Sequence, residues 1–497
     1  MKVKDILNNV ELKENQLNSN VADIEVNEIT VDSRKCTNGC MFIAVRGADV
    51  DGHSFISKAI ENGAEYIVCE DIPKDVKEIK DKQSGKDVIF IEVKQSRNAI
   101  SKIASNFYSN PSAQLRLVGV TGTNGKTSIA TLLYRMFLKL GYNCGLISTI
   151  ANYVGKKRFE TINTTPGPIE LNKLLSQMVE QGCEFCFMEV SSHAIDQERI
   201  SALKYAGAIF TNLTHDHLDY HKTFTNYLNC KKKLFDTLDS NAFALTNIDD
   251  KNGEVMVQNT KAKVYTYSCR NFADYRVRIL EQTIEGMLLN INGKEVWCRF
   301  IGEHNAANLT AVYATAMLLG GKEDEVIRIM SELTSVAGRL EYFKGEKDII
   351  AVVDYAHTPD ALENVLKTLK NLNCDRDLIC VFGCGGNRDK TKRPEMGEIA
   401  GKYASRVVVT SDNPRFEDPN EIIADIKSGM DIKAKAKSLF IPDRIEAIRT
   451  AILTANPGSI VLVAGKGHED YQIINGAKHH LDDKEIIKDA FEMQKEL

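Results

Sequence analysis

Short apolar runs alternate with longer amphipathic stretches along most of this chain, and that alternation predicts an α/β protein. The pattern is most regular in the last third. Strands are predicted over 349–354, 378–382, 406–410, 438–441 and 460–464. Helices lie between them, with Pro359, Pro419 and Asp443 at starting positions, and a last helix covers about 483–495. Strands separated by helices in this way build a doubly wound sheet. Earlier in the chain, strand patterns at 115–120, 143–147, 185–190 and 208–212 suit a mostly parallel sheet with crossover helices. One of those helices carries Ile129, Leu132, Leu133, Met136, Phe137 and Leu140 at a spacing near 3.6, and Gly141 closes it. Residues 1–110 mix strands at 29–34 and 41–45 with a helix at 55–62.

The length of 497 residues fits about three domains at roughly 150 residues each. The expected division is a small α/β binding module (1–110), a central P-loop-type, mostly parallel sheet (111–335) and a doubly wound Rossmann-like domain (336–497), with hinges near 110 and 336. A formal charge of −5 argues against nucleic-acid binding. No run of ~18 apolar residues is present to span a membrane. The polar start is unlike a secretion signal, so a cytoplasmic protein is expected. The twelve cysteines are scattered, several in apolar runs, as buried reduced thiols would be. The one Cys-x-x-Cys, Cys183 to Cys186, has no second ligand pair at zinc-site spacing.

Chemistry enters with Gly122-Thr-Asn-Gly-Lys-Thr127, between a strand and a helix. Gly122, Thr123, Asn124 and Gly125 can turn backbone N–H groups toward a polyphosphate. Lys126 can reach its outer phosphates, and Thr127 or Ser128 can offer a hydroxyl to Mg²⁺. The longer eight-residue form of this loop is not met, because position 120 is Val. Glu189 ends a strand, where it is either a solvated carboxylate or the acidic partner of Mg²⁺. The run from Thr214 to His221 holds three His and two Asp. It reads as one Mg²⁺-contacting His among structural ones, or as a zinc cluster. Lys231-Lys-Lys233 reads, on composition alone, as a solvated charge run. Four polar loops follow strands of the last domain, at 354–360, 383–389, 411–415 and 465–470, on the ligand-binding side of such a sheet.

Taken together, these residues resemble the Mur ligase family of ATP-dependent amide-bond ligases. The likeness runs over essentially the whole chain and includes Glu189-Val-Ser-Ser-His193, Glu303-His-Asn-Ala-Ala-Asn308, Gly338-Arg-Leu-Glu341 and Asp354-Tyr-Ala-His-Thr-Pro-Asp360. Asp32-Ser-Arg34, Thr164-Thr-Pro166 and Asp412-Asn-Pro-Arg415 point to the branch that adds the third residue of the peptidoglycan stem peptide.

The resemblance implies the following. Ser33 and the loop after Gly47 meet the UDP end of a UDP-N-acetylmuramoyl dipeptide, and Thr164, Thr165, Ser191, Gln197 and Arg199 hold the rest. Lys126, Thr127, Glu189 and His217 serve ATP and Mg²⁺, while Asn305, Arg339 and Asp354 contact the nucleotide from the hinge side. Lys231 becomes a carbamate (N6-carboxylysine) and a further Mg²⁺ ligand. Arg388, Asp412, Asn413, Pro414, Arg415, Gly465 and Glu469 take meso-diaminopimelate, with Arg415 gripping its distal carboxylate. His215 is given no role. The reaction passes through an acyl phosphate in a monomer. Rival readings are the lysine-adding version, the later dipeptide-adding step and a folylpolyglutamate synthase-like ligase. A P-loop switch or motor and a non-catalytic UDP-sugar binder complete them.

Overall fold

The computed structural model describes residues 1–13, 22–47, 50–73, 88–372 and 376–495. Three sheets organise them. The N-terminal sheet is parallel, in the order Glu28–Thr30, Cys40–Ile43, Ala64–Cys69, Ile89–Glu92. The middle sheet has six parallel strands at its centre, in the order Lys263–Ser268, Phe243–Asn247, Gly207–Phe210, Arg116–Thr121, Phe185–Glu189, Cys144–Ile147. The C-terminal sheet is parallel through Ile350–Asp354, Ile460–Ala464, Leu378–Phe382, Arg406–Val409 and Ser438–Phe440, with Glu341–Lys344 antiparallel at one edge.

The period-2 rule accounts for the layers. In the strand Arg116–Thr121, Val118 and Val120 pack under the helices Lys126–Lys139 and Glu303–Leu318, while Leu117 faces the opposite core under Pro168–Glu180. In Ile350–Asp354, Val352 faces one core and Ala351 and Val353 the other. Both faces of each central strand are covered, which is why these strands read as continuous apolar runs.

Three expectations are corrected. The predicted strand at 29–34 stops at Thr30, and Ser33–Lys35 is a 3₁₀ turn. The Asp32 carboxylate accepts from the Arg34 amide at 3.1 Å and pairs with its guanidinium at 2.9 Å, so local side-chain bonding overrides the apolar alternation. The helix at 55–62 is shorter, Ile56–Glu61, and follows a 3₁₀ turn capped by Asp51. The middle sheet is also larger than predicted: it continues into an antiparallel meander, Tyr275–Thr283, Gly286–Ile291 and Lys294–Cys298. The loop after Gly47 includes Ala48 and Asp49, which lie outside the described residues.

Candidate active site

The phosphate loop lies at the point where the middle sheet reverses its strand order. The chain leaves Arg116–Thr121 toward Cys144–Ile147 on one side and later returns to Gly207–Phe210 on the other. Such a reversal opens a crevice at the C-terminal strand ends. The loop is tied across it: Thr123 N donates to Asn212 O at 2.8 Å and Asn124 N to Asn212 Oδ1 at 2.9 Å. Gly122 has φ 147°, and a Cβ there would lie 1.9 Å from Thr211 Oγ1, so only glycine fits. Lys126 Nζ donates to the carbonyls of Gly122 and Thr123 at 2.8 and 2.7 Å. Burial lowers its basicity, and Glu189 opposes that shift.

Behind the loop is a corner suited to a metal. Glu189 is 0% exposed. Its carboxylate accepts from Thr127 Oγ1 at 2.9 Å, Thr149 N at 2.7 Å and Thr149 Oγ1 at 3.2 Å, all neutral donors. A buried carboxylate held by neutral groups has an unmet demand for a cation. Lys231 is 1% exposed, with Nζ 2.9 Å from Gly122 O and 4.9 Å from the Tyr227 ring centroid. Burial, reinforced by Lys126, pushes its amine well below the ordinary lysine range. Lys231 is therefore not part of a solvated charge run.

The histidine cluster packs ring against ring, edge-on or tilted. His193 lies 5.0 Å from His217 and 4.2 Å from Tyr220, and His221 lies 5.2 Å from Tyr227, ring to ring. Among the described residues no three His, Cys, Asp or Glu converge as a metal-holding group. Burial pushes the His217 imidazole down to about 3, against the pull of Asp216, leaving it neutral and able to coordinate. His215 reaches across to the C-terminal domain, with Nε2 3.3 Å from Asp389 Oδ2.

Between the middle and C-terminal sheets is a cavity of about 310 Å³ whose lining includes Gly125, Ser128, Asn305, Arg339 and Asp354. The Arg339 guanidinium lies 4.7 Å over the Tyr355 ring. Asp354 accepts from the Leu340 and Ala356 amides, each at 2.8 Å. Asn124 Nδ2 bonds Asp360 Oδ2 at 3.0 Å, closing one end of the junction.

A second network lies on the other side of Glu189. Thr165 Oγ1 donates to Glu189 O at 2.9 Å and accepts from Ser191 N at 3.1 Å. Arg199 donates to Thr165 O at 2.8 Å and to Gln197 Oε1 at 2.6 Å, and Thr164 Oγ1 meets Thr149 Oγ1 at 3.0 Å. Four residues of the predicted nucleotide-sugar set thus share one network with the metal corner, and Thr164 reaches that corner through Thr149. Ser33 lies in the 3₁₀ turn that follows the first strand of the N-terminal sheet, its carbonyl accepting from Asn62 Nδ2 at 2.8 Å.

The loops of the C-terminal sheet bring the remaining predicted residues together. Arg415 Nη1 donates to Gly386 O at 2.8 Å. Asn413 Nδ2 bonds Glu469 Oε2 at 2.9 Å. A Cβ on Gly465 would lie 2.7 Å from Asp412 Oδ2. Pro414 is buried and Arg388 exposed. Glu469 also accepts from the fully buried Lys466 at 3.2 Å.

Three family models match consecutive stretches of the chain: Mur ligase family, catalytic domain, over 25–108; Mur ligase middle domain, over 120–316; and Mur ligase, glutamate ligase domain, over 338–467. A protein of Bacteroides thetaiotaomicron named UDP-N-acetylmuramoyl-L-alanyl-D-glutamate--2,6-diaminopimelate ligase is 54% identical over 94% of this chain and 96% of its own. The chain belongs to the Mur ligase family. A Clostridium tetani protein of the same name is 38% identical to this Mur ligase over 99% of both chains. A solved structure described by that name aligns with a TM-score of 0.68 at 30% identity, covering 100% of this Mur ligase and 99% of the other chain.

Sequence reasoning missed Thr149 and Lys466. Thr149 has no motif of its own, and its role follows only from the strand pairing that brings residues 147 and 188 side by side. Lys466 was signalled by its place between Gly465 and Gly467 at the end of a buried strand.

Proposed function

We propose that this Mur ligase uses ATP to join meso-diaminopimelate to UDP-N-acetylmuramoyl-L-alanyl-D-glutamate, releasing ADP and phosphate. The naming of its relatives and the polar loops of the last sheet support this reading. The observation that carries the choice of amine is Arg415: a half-buried guanidinium beside Arg388 and Asp412, with its basicity lowered by burial and then by Arg388. A cation in that setting favours an incoming carboxylate. Diaminopimelate carries one at its far end, whereas lysine ends in an ammonium alone.

The three modules, 1–110, 111–335 and 336–497, hold the nucleotide sugar, ATP and amine respectively, and close about hinges near 110 and 336. A carboxylate is a poor acyl donor because its leaving group would be oxide. The substrate carboxylate therefore attacks the γ-phosphorus of ATP, giving an acyl phosphate and ADP. The amine then attacks the carbonyl carbon, forming the amide and expelling phosphate. Lys126 and the loop N–H groups stabilise the charge gathering on the transferred group. Asn305, Arg339 and Asp354 orient the nucleotide. Thr165, Ser191, Gln197 and Arg199 hold the acceptor carboxyl close to the phosphate loop.

Thr127, Glu189, His217 and a carbamylated Lys231 would hold Mg²⁺, which offsets phosphate charge when bound. The buried carboxylate of Glu189, with its neutral donors, fits that cation. The Lys231 amine, neutral through burial, fits attack on CO₂, with loss of a proton to give the carbamate.

No helix among the described residues is long and apolar enough to cross a membrane. Action in the cytoplasm, where ATP and nucleotide sugars are found, and as a monomer belong to the same reading. The test is amide formation and phosphate release with the UDP-muramoyl dipeptide and diaminopimelate, lysine or ornithine. Turnover with diaminopimelate well above the other two is expected. Equal efficiency with lysine would overturn the amine assignment, and ADP release without amide would overturn the ligase reading.

A further inference from the structure

A small hairpin outside the three large sheets grips the segment from Asp412 to Arg415. Its strands, Tyr471–Ile474 and Ala477–His480, pair antiparallel. Asn475 and Gly476 join them with left-handed backbone at both positions, φ 49° and 80°, as a type I′ turn requires. The outer strand is exposed along its length, and a lone two-stranded hairpin has little stability of its own. What it does have is four hydrogen bonds to the amine-side segment. Gln472 Nε2 donates to Asp412 O at 2.7 Å, and Ile473 N to Asn413 Oδ1 at 2.9 Å. Arg415 N donates to Ile473 O at 3.0 Å, and Asn475 N to Arg415 O at 2.6 Å.

Arg415 is itself left-handed, with φ 54°. That conformation is unfavourable for a residue with a long side chain, and persists where surrounding contacts enforce it. Here the hairpin satisfies both the N–H and the C=O of Arg415. Relaxation to negative φ would swing its Cα–Cβ bond and carry the guanidinium away from Gly386 O. No hairpin residue lines the cavity between the middle and C-terminal sheets.

We propose that the Tyr471–His480 hairpin is the template that holds Arg415 in its left-handed conformation, and so sets preference for an amino acid with a distal carboxylate. The inference rests on the diaminopimelate reading given above. Gln472 and Gly476 are positioning residues in it, acting through Asp412 and Arg415.

Three variants test the template. Gln472→Ala deletes the bond to the Asp412 carbonyl. Gly476→Val places a β-branched residue at φ 80°; a Cβ there meets the Phe416 ring at 3.4 Å, an ordinary contact, so the backbone is what it disturbs. Gly476→Asn is the conservative control, since Asn tolerates this conformation. For Gln472→Ala and Gly476→Val, the KM for diaminopimelate should rise about tenfold, with kcat and the KM for ATP within about twofold. Discrimination against lysine should fall by the same factor, and Gly476→Asn should behave as the unmodified enzyme. A KM for diaminopimelate unchanged in both disruptive variants would overturn the template. So would a loss spread evenly over kcat, all three KM values and the melting temperature. If the unmodified enzyme does not prefer diaminopimelate over lysine, the functional reading fails before any variant is compared.

Discussion

Arg444 and Asp483 meet as a two-point ion pair, Nε to Oδ1 and Nη2 to Oδ2 both at 2.7 Å, with neither side chain exposed. Arg444 also donates to the carbonyls of Ser411 and Ala464, at 3.2 and 3.1 Å. Those residues immediately precede Asp412 and Gly465, so one buried guanidinium fastens two loops of the C-terminal sheet to the last helix, Asp483–Lys495. Removing one partner strands the other charge. Asp483→Ala should cost about 3–5 kcal/mol in urea unfolding, and the double replacement Arg444→Met with Asp483→Leu clearly less. Equal losses would mean that the pair's hydrogen bonds to the loops, and not the stranded charge, set the cost.

Lys231 is the most sensitive test of the metal corner. Its amine lies 2.9 Å from Gly122 O, and burial holds its basicity down. Lys231→Arg keeps a long nitrogen-bearing side chain but places a fixed cation there and cannot form a carbamate. Turnover should fall by about 10²–10³, the scale of losing one preorganised electrostatic group. A carbamate carbon signal should appear in the unmodified protein under labelled CO₂ and vanish in the variant. An arginine variant with full activity would remove the carbamate from the mechanism.

Arg415→Ala should separate the proposed amine site from the proposed ATP site. Efficiency with diaminopimelate should drop by about 2–5 kcal/mol of transition-state binding, as for truncating one partner of a buried charge pair. The KM for ATP should stay put, because Arg415 is not part of the cavity that includes Asn305 and Arg339. Parallel loss of ATP affinity would place Arg415 in the scaffold instead.

Glu417 ties the loop after Leu378–Phe382 to the segment that carries Arg415. It accepts from Arg393 at 3.0 and 3.1 Å, and Arg393 also bonds Gly385 O at 3.1 Å. The Arg393 hydrogen bonds hold the Glu417 carboxyl down at about 2, from an ordinary 4.5. Above pH 4.5 both folded and unfolded chains are ionised there, and the contribution is complete. As pH falls, the unfolded chain takes up the proton first, so this stability is lost between 4.5 and 2. Urea midpoints measured downward from pH 5 should fall less steeply in Glu417→Gln than in the unmodified protein. Parallel slopes would show that Glu417 does not contribute to acid sensitivity.

Local signals were easy to read. The strands Leu378–Phe382 and Ile460–Ala464 and the helix Asp483–Lys495 match their predicted bounds, because apolar period and capping residues are written within a few positions of each other. The positions of the candidate site loops were legible for the same reason: glycines and polar residues cluster at strand ends. The strand predicted through Ser33 was not, because Asp32 and Arg34 satisfy each other across two residues and turn the chain. The meander from Tyr275 to Cys298 also escaped, since a register shift at Leu280 and the exposed apolar residues Leu280 and Trp297 blur the inside–outside alternation.

By itself the sequence determined the α/β alternation, the phosphate loop and the residue types offered at each strand end. These depend on backbone preference and periodicity, which act over neighbouring residues. Only the tertiary structure decided which charges lose water. Lys231 stands in a run of three lysines, and nothing local distinguishes it from a solvated one. It is buried because the helix Phe224–Asp236 sets that one face against the phosphate loop. Glu189 and Thr127 likewise become partners because the strands Arg116–Thr121 and Phe185–Glu189 lie side by side. Desolvation and pairing are properties of packing, and packing joins residues that the chain keeps far apart.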